Sequence, residues 1–388
     1  MTVSERIERY HRGREPERLA IKYQRIAADP VAFFRGTPNL FYEDWKSGGL
    51  SALKSPLVWL CGDLHLENFG TYRGDNRCTY FDFNDFDEAC LGPAIWDLTR
   101  LLTSISIEAA EREWRTRQTR EICESLLDSY STALASGKAR WVERETAVGI
   151  VHDLFQTLRV RTGQTLLDRR TELHRRRRLI RKDGIKALPL PAARDAKLLD
   201  ALVKKIGGFR YLDAARRIAG NSSLGIPRFV LLVENEAEDV FLLDLKQMRP
   251  PVALVYLEGP AQPAWQSQAH RVVGVERMVQ AIPPAFLRPV EFEGEWWALR
   301  ELMPSEDRVE ISKASNRKFS GHVASLGQVI AWGHLRSGGR YGSAALDELI
   351  HFGGLHPWRT KLVHYAIEYA ARVRKDWGAF RKSNVARP

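Results

Sequence analysis

Polar side chains that could take part in chemistry follow two neighbouring apolar segments of the chain. Residues 57–62 form an apolar run typical of a buried strand, and residues 79–81 are typical of a second, shorter strand. The polar residues just beyond these two runs include Asp63, His65, Asn68, Asp82 and Asp85. Carboxylate and amide oxygens suit Mg²⁺, which completes its coordination with phosphate oxygens and water. The pattern therefore predicts a magnesium and phosphate site, although Asp and Asn also cap ordinary turns.

Each of these polar residues has a predicted role. Phosphoryl transfer uses a carboxylate that accepts the proton of the attacking hydroxyl, and Asp63 is predicted to be that base. Asn68 and Asp82 are predicted to bind the metal ion, and Asp85 is a candidate ligand of a second ion. His65 lies between Asp63 and Asn68 in the chain and is assigned to the same catalytic group.

The segment 62–70, GDLHLENFG, resembles the catalytic loop of aminoglycoside-phosphotransferase-type and choline-kinase-type proteins, whose pattern is roughly His-Gly-Asp-x-His-x-x-Asn. Cys61 stands where that pattern begins with His. Asp82 falls where these families place a metal-binding Asp, within a segment similar to theirs at residues 81–102. The resemblance implies ATP and Mg²⁺ as cofactors. It also implies that Asp97 is structural and anchors the catalytic loop by hydrogen bonds.

Over a longer stretch, from about residue 20 to 380, the chain is similar to the bacterial family called domain of unknown function 2252. The similarity is carried by an F-x-R-G motif at residues 33–36 and by the two acidic motifs, G-D-x-H-x-x-N-F-G and F-D-x-N-D-F-D-E. This second resemblance implies a kinase-like protein and leaves the acceptor of the phosphoryl group undefined.

A candidate nucleotide-binding segment lies later in the chain. Residues 220–225 look like a G-x-G-x-x-G loop in which Ser222 replaces the middle glycine. Lys246 lies near the end of the second predicted strand after this loop, and a kinase-type lysine pairs with the α- and β-phosphates of ATP. Glu276, on a predicted helix, is the candidate partner of Lys246, with Glu258 as the alternative. The predicted cofactor-binding residues are Gly220, Ser222, Gly225, Lys246 and Glu276.

The hydrophobic pattern predicts helices and strands in separate parts of the chain. Helices are expected at 107–135, at 196–219, at 268–281 and over most of the chain beyond residue 315. Strands are expected at 228–233, 240–245, 288–292 and 296–299. This pattern predicts an α+β fold with two lobes.

The predicted lobes are not continuous in the chain. Residues 1–200 are expected to form a helical large lobe with the catalytic and metal motifs, and 306–388 to complete it with C-terminal helices. Residues 201–305 are expected to form a small β-rich nucleotide-binding lobe. Because the glycine loop and lysine follow the acidic motifs instead of preceding them, we expect a circularly permuted protein-kinase-like fold.

The composition indicates a globular protein and limits its environment. The 388 residues carry a net charge of +11, and no apolar run is long enough to cross a membrane. Four irregularly spaced cysteines are typical of reduced thiols, so a cytoplasmic location is expected. The basic run Arg175–Lys182 could contact nucleic acid, but a solvated basic face is the commoner explanation. The predicted partners are therefore ATP and an acceptor that is either a small molecule or a protein.

Three alternative functions fit parts of the sequence. A metallophosphoesterase would need an Asn-His pair and a Gly-His-x-His motif, which the sequence lacks. A zinc site would have to combine Cys61, His65, Cys78 and Cys90, whose spacing is unusual for zinc modules. A nucleotide-binding pseudokinase with a regulatory or scaffold role is the stronger alternative, although a scaffold has no chemical need for the whole acidic and basic set.

Overall fold

The computed structural model describes residues 1–50, 52–175 and 177–386, which form a mixed α+β fold. The α-helices are α1 (Val3–Tyr10), α2 (Pro16–Ala28), α3 (Pro30–Gly36), α4 (Pro38–Trp45), α5 (Ala94–Glu111), α6 (Thr116–Ala135), α7 (Gly149–Leu158), α8 (Gly163–Arg170), α9 (Ala193–Ile206), α10 (Ala253–Tyr256), α11 (Gln268–Val279), α12 (Asn316–Ser337), α13 (Leu346–Gly354) and α14 (Arg359–Lys382). The β-strands are β1 (Leu57–Leu60), β2 (Phe69–Arg73), β3 (Thr79–Phe83), β4 (Cys90–Pro93), β5 (Val142–Glu143), β6 (Thr171–His174), β7 (Arg177–Ile180), β8 (Ala187–Leu188), β9 (Arg210–Arg217), β10 (Arg228–Glu234), β11 (Val240–Gln247), β12 (Arg288–Phe292) and β13 (Glu295–Glu301).

The largest sheet in the described residues has six antiparallel strands in the order β12–β13–β11–β10–β9–β8. Alternate side chains of a strand share a face, so Leu231 of β10, Leu243 of β11 and Leu299 of β13 lie on one side. They pack there with Leu199 and Val203 of α9. Helix α11 follows β11 in the chain and packs against β12 and β13. The sheet therefore has its own apolar core.

A second, larger core holds the helical part of the chain together. Helix α6 packs against α12 and α13, and α5 packs against α14. Ile122, Leu126, Tyr130 and Leu134 lie buried on α6, as their four-residue spacing predicts. Gly327 allows α12 to approach α6 closely, because a Cβ atom there would lie 2.3 Å from the Leu126 carbonyl oxygen.

Strand pairing places the two acidic segments side by side. Strand β1 pairs with β4 and β2 pairs with β3, both antiparallel. The loop 61–68 joins β1 to β2, and the loop 84–89 joins β3 to β4. The two loops therefore connect the same two strand pairs. We call residues 61–68 the catalytic loop, after the sequence motif that they resemble, and residues 84–89 the acidic loop.

Two predicted helices are wrong in part because positive backbone φ angles interrupt them. The predicted helix 107–135 is divided into α5 and α6, and Glu113 between them has a φ of 58°. The predicted helix 196–219 ends at Ile206, since Gly207 and Gly208 have φ angles of 75° and 72°. Residues 210–217 are the strand β9 instead. The predicted strand at 57–62 is confirmed over residues 57–60, and the predicted strands at 79–81, 228–233, 240–245, 288–292 and 296–299 are confirmed.

The basic run is neither a helix face nor a plain loop. Its described residues include β7, which pairs with β6 in an antiparallel hairpin, and Arg176 lies outside the described residues. Arg178 lies 3.6 Å from the carboxylate of Asp168, and Lys182 lies 3.2 Å from that of Asp213. Local acids thus neutralise part of this charge. In the described part of the chain, no helix is long and apolar enough to cross a membrane.

Candidate functional site

The catalytic loop is anchored at its start by a buried carboxylate on α5. Asp97 accepts hydrogen bonds from the backbone N–H groups of Cys61 (2.6 Å) and Gly62 (3.0 Å). Burial raises the pKa of Asp97 to about 7, and these two backbone hydrogen bonds oppose that rise. Gly62 has a φ of 79°, and a Cβ atom at this residue would lie 1.9 Å from the carbonyl oxygen of Glu88. Glycine is therefore required where the catalytic and acidic loops meet.

Asp63 follows this anchor and pairs with a fully buried arginine. The Arg100 guanidinium donates from Nε to Asp63 Oδ1 at 2.8 Å and makes a second bond to the same oxygen. It also stacks 4.3 Å from the centre of the Phe34 ring. Burial raises the pKa of the Asp63 carboxyl to about 6, although the charge of Arg100 opposes the rise. A carboxylate with such a pKa is suited to accept a proton near neutral pH.

Asn68 joins the catalytic loop to the acidic loop. Its side-chain NH₂ group donates to the carbonyl oxygens of Asp63 (3.2 Å) and Asp85 (3.4 Å) and to the sulfur of Cys61 (3.2 Å). Its Oδ1 atom is buried and has no hydrogen-bond partner among the described residues. Buried polar atoms are nearly always paired, so an unpaired amide oxygen beside a carboxylate loop fits a metal ligand.

His65 lies in the same loop, and its side chain stabilises the turn of the backbone there. Its Nδ1 atom accepts the backbone N–H of Glu67 at 3.1 Å. Burial lowers the pKa of His65 well below its ordinary value, and the charge of Arg35 lowers it further. The imidazole is therefore neutral near pH 7 and holds the backbone between Asp63 and Asn68.

The acidic loop presents Asp85 and Asp87 to a lysine of the large sheet. The ammonium group of Lys246, on β11, forms an ion pair with Asp87. Burial raises the pKa of Asp87, and the neighbouring charge of Asp85 raises it further. Burial acts on Asp85 in the same direction, but the charges of Lys246 and Arg308 outweigh it and lower the pKa of Asp85. Asp85 is therefore the acid of this loop that stays ionised most readily.

The predicted metal ligand Asp82 precedes the acidic loop and is paired with an arginine. It is the fourth residue of β3, and its carboxylate accepts a hydrogen bond of 2.6 Å from Arg336 on α12. Arg336 also donates to the carbonyl oxygen of Val279 at the end of α11 (2.6 Å). Asp82 thus ties β3 to two helices, whereas Asp85 lies beyond the end of the strand and lines the cleft described next.

A cleft lies between the acidic loop and the large sheet. Its cavity measures about 90 Å³. The predicted site residues that line it are Asp85, Gly220, Lys246 and Glu276. Burial raises the pKa of Glu276 to about 7, and Arg300 opposes this rise. Lys246 pairs with Asp87 and not with Glu276, and the alternative partner Glu258 has a 99% exposed side chain next to Lys46.

The glycine loop, residues 218–227, joins β9 to β10 beside this cleft. Side chains from α2 and from the segment that precedes it bind its carbonyl groups. Arg14 donates to Leu224 (3.0 Å), Lys22 to Ser222 (2.7 Å) and Arg25 to Gly220 (3.1 Å). Because the C=O and N–H groups of a trans peptide point in opposite directions, the amides of residues 221, 223 and 225 point away from these cations.

Several arginines that the sequence does not single out support the site. Arg271, in the first turn of α11, donates to the carbonyl oxygens of Asp87 (2.8 Å) and Arg249 (2.9 Å). Asp244 on β11 accepts a bond of 2.8 Å from Arg228 and lies 2.6 Å from Arg217. The charges of these arginines hold the pKa of Asp244 well below its usual range, against the effect of burial. An arginine within an apolar pattern is the only sequence signal for such buried pairs.

A larger cavity lies elsewhere and holds little that could react. It measures about 580 Å³ and lies between α6, α12 and the segment 140–151. Trp141 and Trp332 are its largest side chains, and the carboxylate of Asp128 is already paired with Arg359 at 2.7 Å. The charged cleft is therefore the better candidate site, although it is smaller.

The donor set of the cleft fits magnesium better than zinc. Among the described residues, no group of three or more His, Cys, Asp and Glu side chains is arranged to hold a metal ion. The cysteines of the zinc alternative also differ in environment, because Cys61 and Cys90 are buried and Cys78 is exposed. Mg²⁺ needs only one or two carboxylates when amide oxygens, phosphate and water complete its coordination.

The fold and the site define an α+β protein in which the acidic loop, the start of the glycine loop and the large sheet line one charged cleft. The chain belongs to the family described as "Uncharacterized protein conserved in bacteria (DUF2252)", whose family model matches residues 14–383. The family resemblance of the sequence motifs is thereby confirmed, and its kinase-like part stays a prediction. No curated protein and no solved structure matches the chain.

Proposed function

We propose that this protein is a kinase-like phosphotransferase that uses ATP and Mg²⁺. The observation that carries the proposal is the ion pair between Lys246 of the large sheet and Asp87 of the acidic loop. Lys246, the candidate phosphate-binding lysine, lines the same cleft as Asp85. The backbone carbonyl of Asp85 in turn accepts a hydrogen bond from the side chain of Asn68. Positioning and electrostatic stabilisation account for most catalysis of phosphoryl transfer, and these residues supply both.

The order of elements around the cleft supports a circularly permuted kinase arrangement. The glycine loop joins the strands β9 and β10, Lys246 lies on the next strand, and Glu276 lies on α11, after the short helix α10. Protein kinases use this order of glycine-rich loop, strand lysine and helix glutamate. In our proposal the sheet region is the small lobe, and the helices on either side of it in the chain complete the large lobe.

The proposal gives each residue of the site a task. Asp63 accepts the proton of the acceptor hydroxyl, and Lys246 binds phosphate. Asn68 Oδ1 and the carboxylate of Asp85 are the metal ligands, in place of the ion-paired Asp82. Magnesium in such sites neutralises the charge that develops on the transferred phosphoryl group. Glu276 becomes the partner of Lys246 when the pair with Asp87 opens.

The size of the cleft implies a movement on nucleotide binding. A cavity of about 90 Å³ is smaller than the roughly 300 Å³ at which ligand pockets usually begin. We therefore propose that the Lys246–Asp87 pair narrows the cleft and separates when ATP enters. The acceptor, a small molecule or a protein, is not defined by the residues of the cleft.

One observation favours the pseudokinase alternative. Arg100 binds the predicted base Asp63, and a neighbouring cation makes a carboxylate less basic. A regulatory nucleotide-binding protein would tolerate this arrangement. Turnover, rather than nucleotide binding, separates the two functions.

Calorimetric titration with ATP, in Mg²⁺ and in EDTA, tests the proposal. We expect magnesium-dependent binding by the wild-type protein, and weaker binding by Asp85→Ala. Absence of binding by the wild-type protein would overturn the proposal. ADP formation that is lost in Asp63→Ala, with binding retained, would favour the enzyme over the pseudokinase.

A further inference from the structure

Arg308 is a cation of the charged cleft to which the proposed function assigns no role. Five cationic side chains of the described residues line this cleft. Carboxylates bind four of them, which are Arg217 and Arg228 at Asp244, Arg300 at Glu306 and Lys246 at Asp87. Arg308 lies 3.9 Å from the carboxylate of Glu67, and its side chain forms no hydrogen bond among the described residues. A guanidinium has five N–H donors, so Arg308 retains them for another partner.

The backbone around Arg308 is fixed against β2, the strand that follows the catalytic loop. Thr71 of β2 donates its backbone N–H to the carbonyl oxygen of Asp307 at 2.8 Å, in an antiparallel bridge between the two residues. A Cβ atom at Gly70 would lie 3.3 Å from Cγ of Arg308 and 2.5 Å from the side-chain nitrogen of Asn84. Arg308 therefore packs beside β2 and next to the first residue of the acidic loop.

These contacts place Arg308 on the side of the cleft that the catalytic loop occupies. Glu67, which lies 3.9 Å from Arg308, belongs to that loop. Lys246 reaches the cleft from β11 of the large sheet instead. In a phosphotransferase the terminal phosphate lies towards the base of the catalytic loop, because the acceptor hydroxyl attacks this phosphate. The proposed function therefore puts the terminal phosphate on the side of Arg308 and the inner phosphates on the side of Lys246.

The charges of the cleft favour Arg308 over the other arginines as a phosphate ligand. A triphosphate that enters meets the carboxylates of Asp85 and Asp87, which repel it. The paired arginines cannot turn towards the phosphate without leaving a carboxylate unpaired away from water, which is strongly unfavourable. Arg308 gives up only a 3.9 Å contact with Glu67, which keeps its hydrogen bond to Arg35. Its side chain is also 38% exposed and has room to reorient.

We infer that Arg308 binds the terminal phosphate of a nucleoside triphosphate in the cleft and thereby selects the triphosphate over the diphosphate. The inference rests on the proposed function, because that function places the nucleotide in the cleft. A guanidinium donates two parallel N–H groups to two oxygens of one phosphate. A diphosphate has no phosphate group on the side of Arg308, so its binding depends on Lys246 and the metal ion.

The test compares Arg308→Met with a matched change of a neighbouring arginine, Arg161→Met. Arg161 lies 2.6 Å from the carboxylate of Asp307, the residue before Arg308, and lines a separate cavity. Calorimetry with MgATP and MgADP is run on the full chain. For Arg308→Met we expect MgATP to bind at least about tenfold more weakly, the loss expected for one charge-assisted hydrogen bond, and MgADP to change by less than about threefold. Arg161→Met should affect both nucleotides by less than about threefold.

Thermal unfolding separates phosphate binding from a structural role. Because the side chain of Arg308 forms no hydrogen bond in the described part of the chain, Arg308→Met should move the unfolding midpoint by less than about 2 °C. A clearly lower midpoint together with unchanged discrimination between MgATP and MgADP would overturn the inference and make Arg308 a structural residue. Arg308→Gln keeps a polar side chain without the charge, and it should show the same selective loss of MgATP even if Arg308→Met does not fold.

The two hypotheses fail in different ways. If the wild-type protein does not bind MgATP, the proposed function and the inference are both overturned. If the wild-type protein binds MgATP and both Arg308 variants bind it equally well, only the inference is overturned. A selective loss of the triphosphate in both Arg308 variants, without such a loss in Arg161→Met, supports the two together.

Discussion

The ammonium group of Lys246 on β11 forms an ion pair with the carboxylate of Asp87, a residue that lies 159 positions earlier in the chain. The side chains of the pair are only 8% and 19% exposed. No other direct side-chain bond among the described residues joins β11 to the acidic loop. The pair therefore links the large sheet directly to the acidic loop across the cleft.

The first prediction concerns this pair. Lys246→Met should weaken MgATP binding at least about tenfold, because one charge-assisted contact to phosphate is lost. It should also lower the free energy of unfolding by about 1–3 kcal/mol, because Asp87 stays buried without its partner. Urea denaturation and calorimetry measure the two effects separately.

A double variant provides the control for this prediction. Lys246→Met combined with Asp87→Asn removes both charges and should recover most of the lost stability, but not the binding. Recovery of MgATP binding in the double variant would show that Lys246 acts only by neutralising Asp87.

The second prediction separates two neighbouring acids of one motif. Asp85→Asn should weaken magnesium-dependent ATP binding at least about tenfold and change stability little, since no protein cation forms an ion pair with Asp85 in the described residues. Asp82→Asn should lower the stability and change magnesium-dependent ATP binding little, because Arg336 would lose its carboxylate partner at 2.6 Å. Titrations at several Mg²⁺ concentrations, with urea denaturation of both variants, check this. Stronger loss of magnesium dependence in Asp82→Asn would contradict the assignment.

The sequence predicts the scaffold of the site well where apolar pattern decides the structure. The apolar runs that begin at Leu57 and Thr79 form the strands β1 and β3, and nearly all side chains on both faces of these strands are buried. Leu126 and Tyr130 share the buried face of α6 for the same reason. The apolar pattern does not predict where a helix ends when a single residue changes the backbone direction, as Gly207 does at the end of α9.

Choosing among the acids of the site needs the three-dimensional structure. Asp82 and Asp85 lie three residues apart and have the same chemistry, yet one pairs with Arg336 and the other lines the cleft. Their difference depends on a helix that follows some 250 residues later, at Arg336. Lys22 is a similar case, because its partner Ser222 is 200 residues distant. Local sequence carries no signal for such contacts.

The third prediction concerns the anchor of the catalytic loop. Asp97→Asn should lower the free energy of unfolding by about 1–3 kcal/mol. The two carboxylate oxygens of Asp97 accept one N–H group each, from Cys61 and Gly62, whereas an amide side chain has only one oxygen that can accept. Transfer activity should fall further than nucleotide binding, since Asp63 follows the anchor directly. Urea denaturation and activity assays measure the two losses. A stability equal to that of the wild type would contradict an anchoring role.

Ser104 offers a matched control for the anchor. Its hydroxyl accepts the backbone N–H of Leu66 in the same loop at 3.2 Å, and it lies about two turns along α5 from Asp97. Ser104→Ala removes one neutral hydrogen bond, so it should cost about 1 kcal/mol or less and leave the position of Asp63 unchanged. An equal effect of both variants on transfer would mean that the loop is not held mainly by Asp97.

The fourth prediction is a pH dependence of phosphoryl transfer. Asp63 must be ionised to accept a proton, and burial raises its pKa to about 6. ADP formation should therefore fall as the pH is lowered through about 6 and level off above about 7. Arg100 lowers the pKa of Asp63, so Arg100→Met should move the midpoint of the profile upward by about one pH unit or more. Circular dichroism at each pH controls for unfolding. A folded Arg100→Met protein with an unshifted midpoint would show that another group titrates, and Glu276, whose pKa burial raises to about 7, would be the next to test.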